Sequence, residues 1–236
     1  MSAIGIDTGG TFTDFLWIDE SGQLRLHKQP STPDDPSSAV LAGLAAGGAP
    51  AAADIVHGST VATNALLQRR GARTALIATA GFADVLAIGR QNRPDLYALV
   101  PQKPPPLVPD AWRFEAQERV NAAGQIVRPL DEAALDEVID RIAAAGIESV
   151  AVCLLFSFLR PEHERRIAAR LAERLGTALP VSLSCDVLPE YREFERTAAT
   201  VINAYVAPLM SRYLSRLARR VAPRRLTVMQ SNGGVI

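Results

Sequence analysis

Residues 7–14 hold the side chains best suited to chemistry, in the order Asp-Thr-Gly-Gly-Thr-Phe-Thr-Asp. A glycine pair lets the backbone turn tightly and approach a ligand without a Cβ clash. The N–H groups of such a turn, with the hydroxyls of Thr8, Thr11 and Thr13, could surround phosphate oxygens. A carboxylate at the end of a buried strand, such as Asp7, is costly unless it meets donors or a cation, and Mg²⁺ on a nucleotide phosphate would serve. The pattern favours a phosphate-binding turn over a plain β-turn whose side chains bond the local backbone.

This segment lies between two runs that we predict to be strands, residues 3–6 and 12–18. A strand–turn–strand setting excludes the Rossmann and Walker phosphate loops, because both need the N-terminus of a helix. The Walker loop also needs a Gly-Lys-Ser/Thr, which the sequence lacks. The phosphate-binding hypothesis therefore concerns the turn itself, with Asp14 placed to orient it or to bind water.

Residues 57–64 form a second candidate element, in which a predicted strand ends at His57 and a helix begins near Ser59 or Thr60. Free N–H groups at a helix start favour an anion. His57 could act as an acid or base, or hydrogen-bond a carbonyl, and Asn64 lies one helical turn further along. From the residues alone, a Ser/Thr helix cap with a histidine paired in the core is an equally good interpretation.

Three further positions each have two interpretations. Arg90 opens a proline-rich stretch and could bind a substrate carboxylate or form a surface ion pair. Glu195 and Arg196 are adjacent and should face different neighbours, which favours structural roles. Residues 232–234, Asn-Gly-Gly, follow a predicted strand and could approach a nucleotide or form a turn at a lobe boundary.

The elements that must position these residues alternate along most of the chain. An early group of three strands and a later strand–helix alternation predict an α/β fold with a mixed sheet. A proline-rich, extended loop is predicted at residues 90–110, and Asp131 is a predicted helix N-cap. We predict strands at 3–6, 12–18, 23–28, 54–57, 73–79, 149–156, 180–184 and 225–229, a hairpin of 114–121 with 125–128, and helices at 34–46, 59–70, 81–88, 131–145, 161–175 and 192–221, the last interrupted near Pro208.

Composition narrows the classes of function. Lysine plus arginine equals aspartate plus glutamate, at 25 each, so the basic excess that duplex binding needs is absent. Cys153 and Cys185 form no CxxC pair, which argues against a zinc site or a disulfide framework. No window reaches eighteen apolar residues, so we expect a soluble, cytoplasmic protein without membrane partners. His27 and His163 are expected to be exposed, and the arginines between 216 and 225 to form a solvated helix face.

The segment at residues 7–14 resembles the first phosphate loop of the actin/hexokinase/Hsp70-like ATPases. Its GGTFTD form is typical of the hydantoinase A, 5-oxoprolinase and acetone carboxylase β subunit family. Other segments resemble the same family in the same order along the chain. They lie at residues 57–66, 81–91, 118–120, 149–155, 187–196, 203–206 and 230–234.

The resemblance implies an actin-like ATPase (ribonuclease H-like) fold, of which this chain carries the first lobe, with a mixed sheet flanked by helices. It also implies ATP-driven opening of a cyclic amide such as 5-oxoproline or a hydantoin, or activation of a ketone in acetone carboxylase relatives. Phosphorylating the carbonyl oxygen makes its carbon electrophilic, and such transfer depends mainly on positioning and charge stabilisation.

The resemblance also suggests which residues form the site and which cofactors it needs, ATP and Mg²⁺. Asp7 and His57 are the catalytic candidates, and Asp7 would hold Mg²⁺ through water. The nucleotide-binding candidates are Thr8, Gly9, Gly10, Thr11, Thr13, Asp14, Asn232, Gly233 and Gly234. The candidates for substrate or phosphate contact are Gly58, Ser59, Thr60, Asn64 and Arg90.

The sequence departs from the family pattern at its C-terminal end, because family members continue with a second phosphate loop and an adenosine site. We therefore expect residues 1–190 to form the N-terminal domain and residues 191–236 to begin a truncated core domain. The expected partners are the missing C-terminal lobe and a hydantoinase B-type subunit or domain, and a homo-oligomer stays open. The isolated chain is expected to be inactive.

Two other hypotheses stay open. One is a sugar or acyl kinase of the same superfold, because GGT loops occur there too. The other is a non-catalytic lobe that binds nucleotide weakly or docks a partner subunit. The segments after residue 50 favour the hydantoinase pattern over the kinase.

Overall fold

Two larger β-sheets organise the chain in the computed structural model, which describes residues 3–50, 53–92, 95–100, 103–230 and 232–236. The chain divides into two compact units by its contacts. Unit 1 consists of residues 1–70 and 209–236, and unit 2 of residues 71–208. These units follow contacts rather than chain order, so the expected domain boundary near residue 190 stays a prediction.

The sheet of unit 1 is mixed. Its first three strands form an antiparallel meander, and two later strands lie parallel to the first. The order across the sheet is β11-β4-β1-β2-β3. The strands are β1 (Ala3–Thr8), β2 (Phe12–Ile18), β3 (Leu24–Pro30), β4 (Asp54–Ser59) and β11 (Leu226–Val228).

Strict alternation in β1 and β2 produces the core of unit 1. Ile4, Ile6, Phe15 and Trp17 are buried on one face of the sheet, because successive side chains of a strand point to opposite faces. Helices α1 (Pro36–Ala46), α2 (Val61–Leu67) and the C-terminal part of α7 (Glu193–Val221) belong to this unit. Residues of α1 and α7, including Val40, Leu44, Leu217 and Val221, belong to the same core cluster.

The sheet of unit 2 is entirely parallel, with the order β10-β9-β5-β6. Its central strands are continuous apolar runs buried on both faces, as parallel sheets require. A two-stranded antiparallel sheet accompanies it. The strands are β5 (Thr74–Thr79), β6 (Arg113–Ala116), β9 (Ser149–Cys153) and β10 (Val181–Leu183), with β7 (Arg119–Val120) and β8 (Ile126–Arg128) forming the small sheet.

The helices of unit 2 pack mainly through amphipathic faces. The Asp131 carboxylate accepts hydrogen bonds from the N–H groups of Ala133 and Ala134 at 3.1 and 3.0 Å, so it caps its helix as predicted. Leu135, Val138, Ile139 and Ile142 of that helix are buried in the core of this unit. The helices are α3 (Val85–Ile88), α4 (Glu132–Ala144), α5 (Glu162–Leu175), α6 (Ser184–Val187) and the N-terminal part of α7.

The main error in the sequence predictions concerns one predicted strand whose residues belong to two different sheets. The predicted strand at 114–121 is in fact two strands: β6 joins β5 in the parallel sheet, and only β7 pairs with β8. Pro208 lies inside one continuous helix, so the interruption predicted there is wrong. The predicted helix at 59–70 is shorter, because β4 extends to Ser59. Residues 93, 94, 101 and 102 of the predicted loop, and residue 231 of the final segment, lie outside the described residues.

Candidate functional site

Three of the predicted segments meet at one edge of the unit 1 sheet. β1, β4 and β11 run parallel, so their carboxyl ends lie at the same edge. The glycine turn follows β1, the helix start follows β4, and the Asn-Gly-Gly turn follows β11. Carboxyl edges of parallel strands are a common place for ligand sites in α/β proteins.

The glycine turn is a tight hairpin tied down by a side chain. The N–H of Gly9 donates to the carbonyl of Phe12 at 3.0 Å. The Ser31 hydroxyl donates to the Gly9 carbonyl at 2.9 Å, and the Ser31 N–H donates to the Thr11 carbonyl at 2.8 Å. Ser31 was missed from the sequence because it follows β3, far from the motif, and only the pairing of β2 with β3 brings it near.

Strand alternation divides the polar side chains of this hairpin between two faces. Thr8 and Thr13 are buried, and the Thr13 hydroxyl lies 3.0 Å from that of Ser31. The Thr13 hydroxyl therefore braces the hairpin from within. That the Thr8 and Thr13 hydroxyls surround a phosphate stays a prediction. Thr11 lies exposed at the tip. Contacts from the main chain of these residues to a nucleotide stay a prediction.

Asp7 and Asp14 lie directly opposite each other across β1 and β2. Like charges placed opposite each other are destabilising without a compensating cation. Lys28, opposite Asp14 on β3, forms an ion pair with Asp14 at 2.8 Å. Within the described ranges, the Asp7 carboxylate has neither a hydrogen bond nor an ion pair, and it is exposed rather than buried. It is therefore available to a cation.

A Mg²⁺ ion fits this arrangement through the chemistry of its donors. Mg²⁺ commonly binds one or two carboxylates plus substrate phosphates and keeps several waters, rather than using an all-protein cage. Among the residues that the structure describes, no group of three or more His, Cys, Asp or Glu side chains could hold a metal. Asp7 beside the glycine hairpin matches the mode in which one carboxylate and substrate phosphates hold the ion. Its role as a magnesium ligand stays a prediction.

The second predicted element supports the hairpin directly. The Thr60 N–H donates to the Thr8 carbonyl at 3.0 Å, and the Thr60 hydroxyl donates to the same carbonyl at 3.3 Å. The Asn64 amide nitrogen donates to the Thr60 hydroxyl at 3.2 Å and would be 3.2 Å from a Cβ added at Gly10. Gly58 is equally constrained, because a Cβ there would lie 3.2 Å from the Asp7 carboxylate oxygen. Residues 58–64 are therefore assembled around the phosphate-loop candidate.

His57 is completely buried and hydrogen-bonds Tyr213 of α7, with 2.7 Å between Nε2 and the tyrosine hydroxyl oxygen. Burial lowers the pKa of His57 to about 4, and the nearby Asp7 charge only partly opposes this. The imidazole is therefore neutral at neutral pH. Burial also raises the pKa of Tyr213, with the Thr8 and Ser59 hydroxyls opposing. Sequence reasoning missed Tyr213, because it lies 156 positions from His57 along the chain.

The Asn-Gly-Gly segment forms a tight turn at the end of β11. Gly233 has a φ of +85°, which glycine adopts without strain. The Asn232 side-chain oxygen accepts a hydrogen bond from the Gly234 N–H at 2.9 Å. The Met229 N–H donates to the His57 carbonyl at 2.9 Å, which holds the turn next to β4. Residues 232–234 therefore form the turn that was one of the two interpretations, and their contact with a nucleotide stays a prediction.

A cavity of about 500 Å³ adjoins the glycine hairpin inside unit 1. Gly9 and Gly10 form part of its wall, and residues of α2 and α7 form another part. Asn64 and Tyr213 both line it, so the two supporting elements described above share this space. Its volume lies in the usual range for small-molecule sites.

Arg90 and the Glu195–Arg196 pair belong to unit 2. Arg90 forms an ion pair with Glu195 at 2.8 Å, which is the alternative the sequence left open. Arg196 is buried and donates to the Leu154 carbonyl at 2.7 Å and to the Ser184 hydroxyl at 2.8 Å. The predicted structural role of Arg196 therefore matches its contacts.

A buried polar cluster of unit 2 was also missed. His163 was expected to be exposed, but it is buried and its Nδ1 lies 2.8 Å from a carboxylate oxygen of buried Glu118. The other Glu118 oxygen accepts a hydrogen bond from Thr79. The helical periodicity of α5 places His163 on the same face as Ile167 and Leu171, and that signal could have revealed its burial.

Comparison with known proteins shows that most of this chain matches one protein family. The hydantoinase/oxoprolinase N-terminal region matches residues 3–175, and the hydantoinase/oxoprolinase region matches residues 196–236. The chain belongs to the hydantoinase/oxoprolinase family. The α/β, actin-like ATPase fold expected from the resemblance is thereby confirmed, as is the match to the N-terminal portion of family members.

Named relatives of the hydantoinase/oxoprolinase chain include a caprolactamase subunit, an acetone carboxylase subunit and a 5-oxoprolinase. It is 37% identical to caprolactamase subunit alpha of Pseudomonas jessenii over 98% of this chain and 36% of the relative. The crystal structure of the ATP-dependent caprolactamase from that organism matches with a TM-score of 0.89 at 35% identity, over 99% of this chain and 36% of that one.

Two further relatives have lower sequence identity to this chain. The acetone carboxylase beta subunit of Xanthobacter autotrophicus is 31% identical over 100% of this chain and 36% of its own length. The 5-oxoprolinase of Saccharomyces cerevisiae is 32% identical over 76% of this chain and 16% of its own length. The chain spans about a third of the length of the first curated relatives it matches. None of its described helices is long and apolar enough to cross a membrane.

Proposed function

We propose that this chain is the N-terminal part of an ATP-dependent enzyme that opens a cyclic amide by phosphorylating its carbonyl oxygen. One observation carries the proposal. Ser31 and Thr60 hold the main chain of the glycine hairpin at residues 8–13 and leave its tip exposed, beside an Asp7 carboxylate without a protein partner among the described residues. Relatives named as caprolactamase and 5-oxoprolinase support the class of substrate.

In this proposal, the main-chain N–H groups of Gly10 and Thr11 bind the β- and γ-phosphates of ATP, because the Gly9 N–H already donates to the Phe12 carbonyl inside the hairpin. Bare amides at a tight turn suit phosphate oxygens, and the absence of side chains at Gly9 and Gly10 permits close approach. Asp7 would hold Mg²⁺, which neutralises the charge that develops on the transferring phosphoryl group. Asp14 would stay paired with Lys28 and orient the hairpin. Asn232, Gly233 and Gly234 would border the nucleotide from the neighbouring strand end.

The proposed chemistry begins with attack of the amide oxygen on the γ-phosphorus. The bond from that phosphorus to the ADP oxygen breaks, and a phosphorus–oxygen bond to the carbonyl forms. Water then adds to the carbon, the carbon–nitrogen bond breaks, and the amine leaves with the proton. A second water hydrolyses the resulting acyl phosphate, so one cyclic amide, one ATP and two waters yield one amino acid, ADP and phosphate.

His57 would contribute to this site by positioning rather than by direct proton transfer. It is neutral and fully buried, and its hydrogen bond fixes the Tyr213 ring in the cavity wall. Ser59 and Thr60 would keep the helix start against the hairpin, and Arg90 would contact substrate only by releasing Glu195.

The rest of the assembly is also a proposal. Relatives are named as alpha, beta or gamma subunits, which supports further polypeptides or domains as partners. We place the second phosphate loop in a C-terminal lobe and a hydantoinase B-type partner beside it, with a domain boundary near residue 190. We propose the cytoplasm as the location, because that compartment supplies the ATP.

The test is ATP-dependent ring opening by the full-length protein. We expect ADP and ring-opened amino acid to form one to one when a cyclic amide, ATP and Mg²⁺ are present, measured by chromatography. Asp7→Asn should lower the rate at least about a hundredfold, because the charge that holds the cation is lost. The matched control is Glu20→Gln, an exposed carboxylate of the same unit. Ring opening without ATP, or an unchanged rate in Asp7→Asn, would refute the proposal.

The likeness to acetone carboxylase supports a second candidate, ATP-dependent activation of a ketone. The nucleotide-free acetone carboxylase structure matches with a TM-score of 0.86 at 29% identity, over 100% of this chain and 37% of that one. In this candidate, the carbonyl or enolate oxygen of the ketone would accept the phosphoryl group in place of the amide oxygen. ADP formation stimulated by a ketone with bicarbonate, and by no cyclic amide, would select this candidate.

A further inference from the structure

The direction of the peptide group between Gly9 and Gly10 determines what the glycine hairpin offers to a phosphate. This peptide is trans, because the described part of the chain has a cis bond only between Ala222 and Pro223. In a trans peptide, the carbonyl of the first residue and the N–H of the second point in opposite directions. A group that holds the Gly9 carbonyl therefore also sets the direction of the Gly10 N–H.

The side chain of Ser31 holds that carbonyl. Its hydroxyl donates a hydrogen bond to the Gly9 carbonyl oxygen at 2.9 Å. A serine hydroxyl carries only one hydrogen. In the contact between the Ser31 and Thr13 hydroxyls, at 3.0 Å, the donor is therefore Thr13. Ser31 thus receives a hydrogen bond from β2 and donates its own to the turn.

The Gly10 N–H lies on the opposite side of this peptide group from Ser31. Gly10 is exposed, and among the described residues no acceptor reaches its N–H. A free N–H that points away from the protein suits an anion. If the peptide group turned over, the Gly9 carbonyl oxygen would face the same space and would repel a phosphate oxygen.

A peptide between two glycines needs such a tether, because neither residue has a Cβ that restricts rotation. The other bonds of the hairpin act on neighbouring peptide groups. The Gly9 N–H bonds the Phe12 carbonyl, and Thr60 bonds the Thr8 carbonyl, so both fix the peptide before Gly9. The Ser31 N–H bonds the Thr11 carbonyl and fixes the peptide after Thr11. The Ser31 hydroxyl is therefore the contact that acts on the peptide between the glycines.

We propose that Ser31 is a positioning residue of the hairpin, whose hydroxyl turns the Gly10 N–H toward the phosphates of ATP. The inference rests on the proposed function and gives a role in it to a side chain that does not itself touch the nucleotide. Loss of the hydroxyl should weaken binding of the β- and γ-phosphates. It should leave adenosine binding unchanged, because the adenosine site is expected outside this chain.

The experiment is isothermal titration calorimetry of the full-length protein and Mg²⁺ with two ligands, a non-hydrolysable ATP analogue and AMP, which lacks the β- and γ-phosphates. We expect Ser31→Ala to bind the analogue about tenfold more weakly, because a hydrogen bond to a charged group contributes at least that much. Its affinity for AMP should stay within about twofold of wild type. Ser31→Thr keeps a hydroxyl and should recover most of the affinity for the analogue.

Steady-state kinetics of ring opening provide a second measurement. Ser31→Ala should raise the KM for ATP and leave the KM for the cyclic amide unchanged, because only the nucleotide meets the Gly10 N–H in this proposal. A general loss of folded structure would change both values.

The matched control is Ser38→Ala, which removes a serine hydroxyl from the same unit without touching the hairpin. The Ser38 hydroxyl donates to the Asp35 carboxylate at 2.9 Å. Arg216 and Arg220 lie 3.4 and 3.0 Å from the same carboxylate, so these two arginines do not only form the solvated helix face expected from the sequence. Ser38→Ala should bind both ligands as wild type does.

Wild-type affinity of Ser31→Ala for the analogue would overturn the inference. An equal loss of affinity for AMP, or a Ser31→Thr protein as weak as Ser31→Ala, would overturn it as well. If wild type bound neither ligand, the inference and the proposed function would both fail. If wild type bound the analogue in a manner that depends on Ser31 but opened no cyclic amide, the proposed function would fail and the role of Ser31 would stand.

Discussion

At the scale of single residues, the site depends on which face of a strand each side chain occupies. Asp7 and Asp14 share the outer face of the sheet, while Thr8 and Thr13 are buried on the other. The identity of the motif was predictable from the sequence, because the residue types and spacing are visible there. The face that each side chain occupies was not predictable, because it follows from the end of β1 at Thr8, two residues beyond the predicted end of that strand.

The burial of His57 leads to a prediction about pH. Its folded pKa is about 4, below the ordinary value of 6.5. Between those values the unfolded chain binds more protons than the folded chain, so stability rises with pH in this window and falls as pH drops through it. His57 should account for about 2–3 kcal/mol of the difference in unfolding free energy between pH 7.5 and pH 4.5.

Denaturant unfolding of the 236-residue chain, with Trp112→Phe, measures this difference through the fluorescence of Trp17 in the core of unit 1. His57→Gln should reduce the dependence on pH by that amount. If wild type and His57→Gln showed the same slope between the two pH values, the imidazole would have to be accessible to protons in the folded state.

At the scale of elements, helix α1 offers a test of packing against propensity. A Cβ added at Gly43 would lie 2.1 Å from the Phe15 Cζ atom. Replacing a helical glycine by alanine ordinarily stabilises by about 1 kcal/mol, but here the overpacking should dominate. We expect Gly43→Ala to lower the unfolding free energy by about 1–3 kcal/mol.

The matched experiment is a double-mutant cycle with Phe15→Leu, which shortens the opposing side chain. The combination should recover part of the loss, so the two effects should not add. A Gly43→Ala chain that is more stable than wild type in thermal unfolding would show that α1 does not lie against Phe15.

Elements were predictable wherever one local signal decides them. The glycine pair located the start of β2, the Asp131 cap located α4, and an apolar run located β9. The strand partner of a run is not a local property, so the split of residues 114–121 between two sheets could not be predicted. The same holds for the cavity, because Arg70 and Arg212, two residues of its wall, are separated by the whole of unit 2 in the chain.

The full-length protein is larger than this chain, which spans about a third of the length of its first curated relatives. The family, the fold and the N-terminal placement follow from matched residues along nearly the whole chain. Nucleotide binding, ring opening and partner subunits belong to the larger assembly and are proposed from the hairpin and the named relatives.

Nucleotide binding by the glycine hairpin is tested by a crystal structure of the full-length protein with Mg²⁺ and a non-hydrolysable ATP analogue. We expect phosphate oxygens within about 3 Å of main-chain N–H groups at the tip of the hairpin. We also expect a Mg²⁺ ion bound to Asp7 directly or through water. A fully occupied analogue bound elsewhere, with Gly9, Gly10 and Asp7 making no contact to it, would contradict the account.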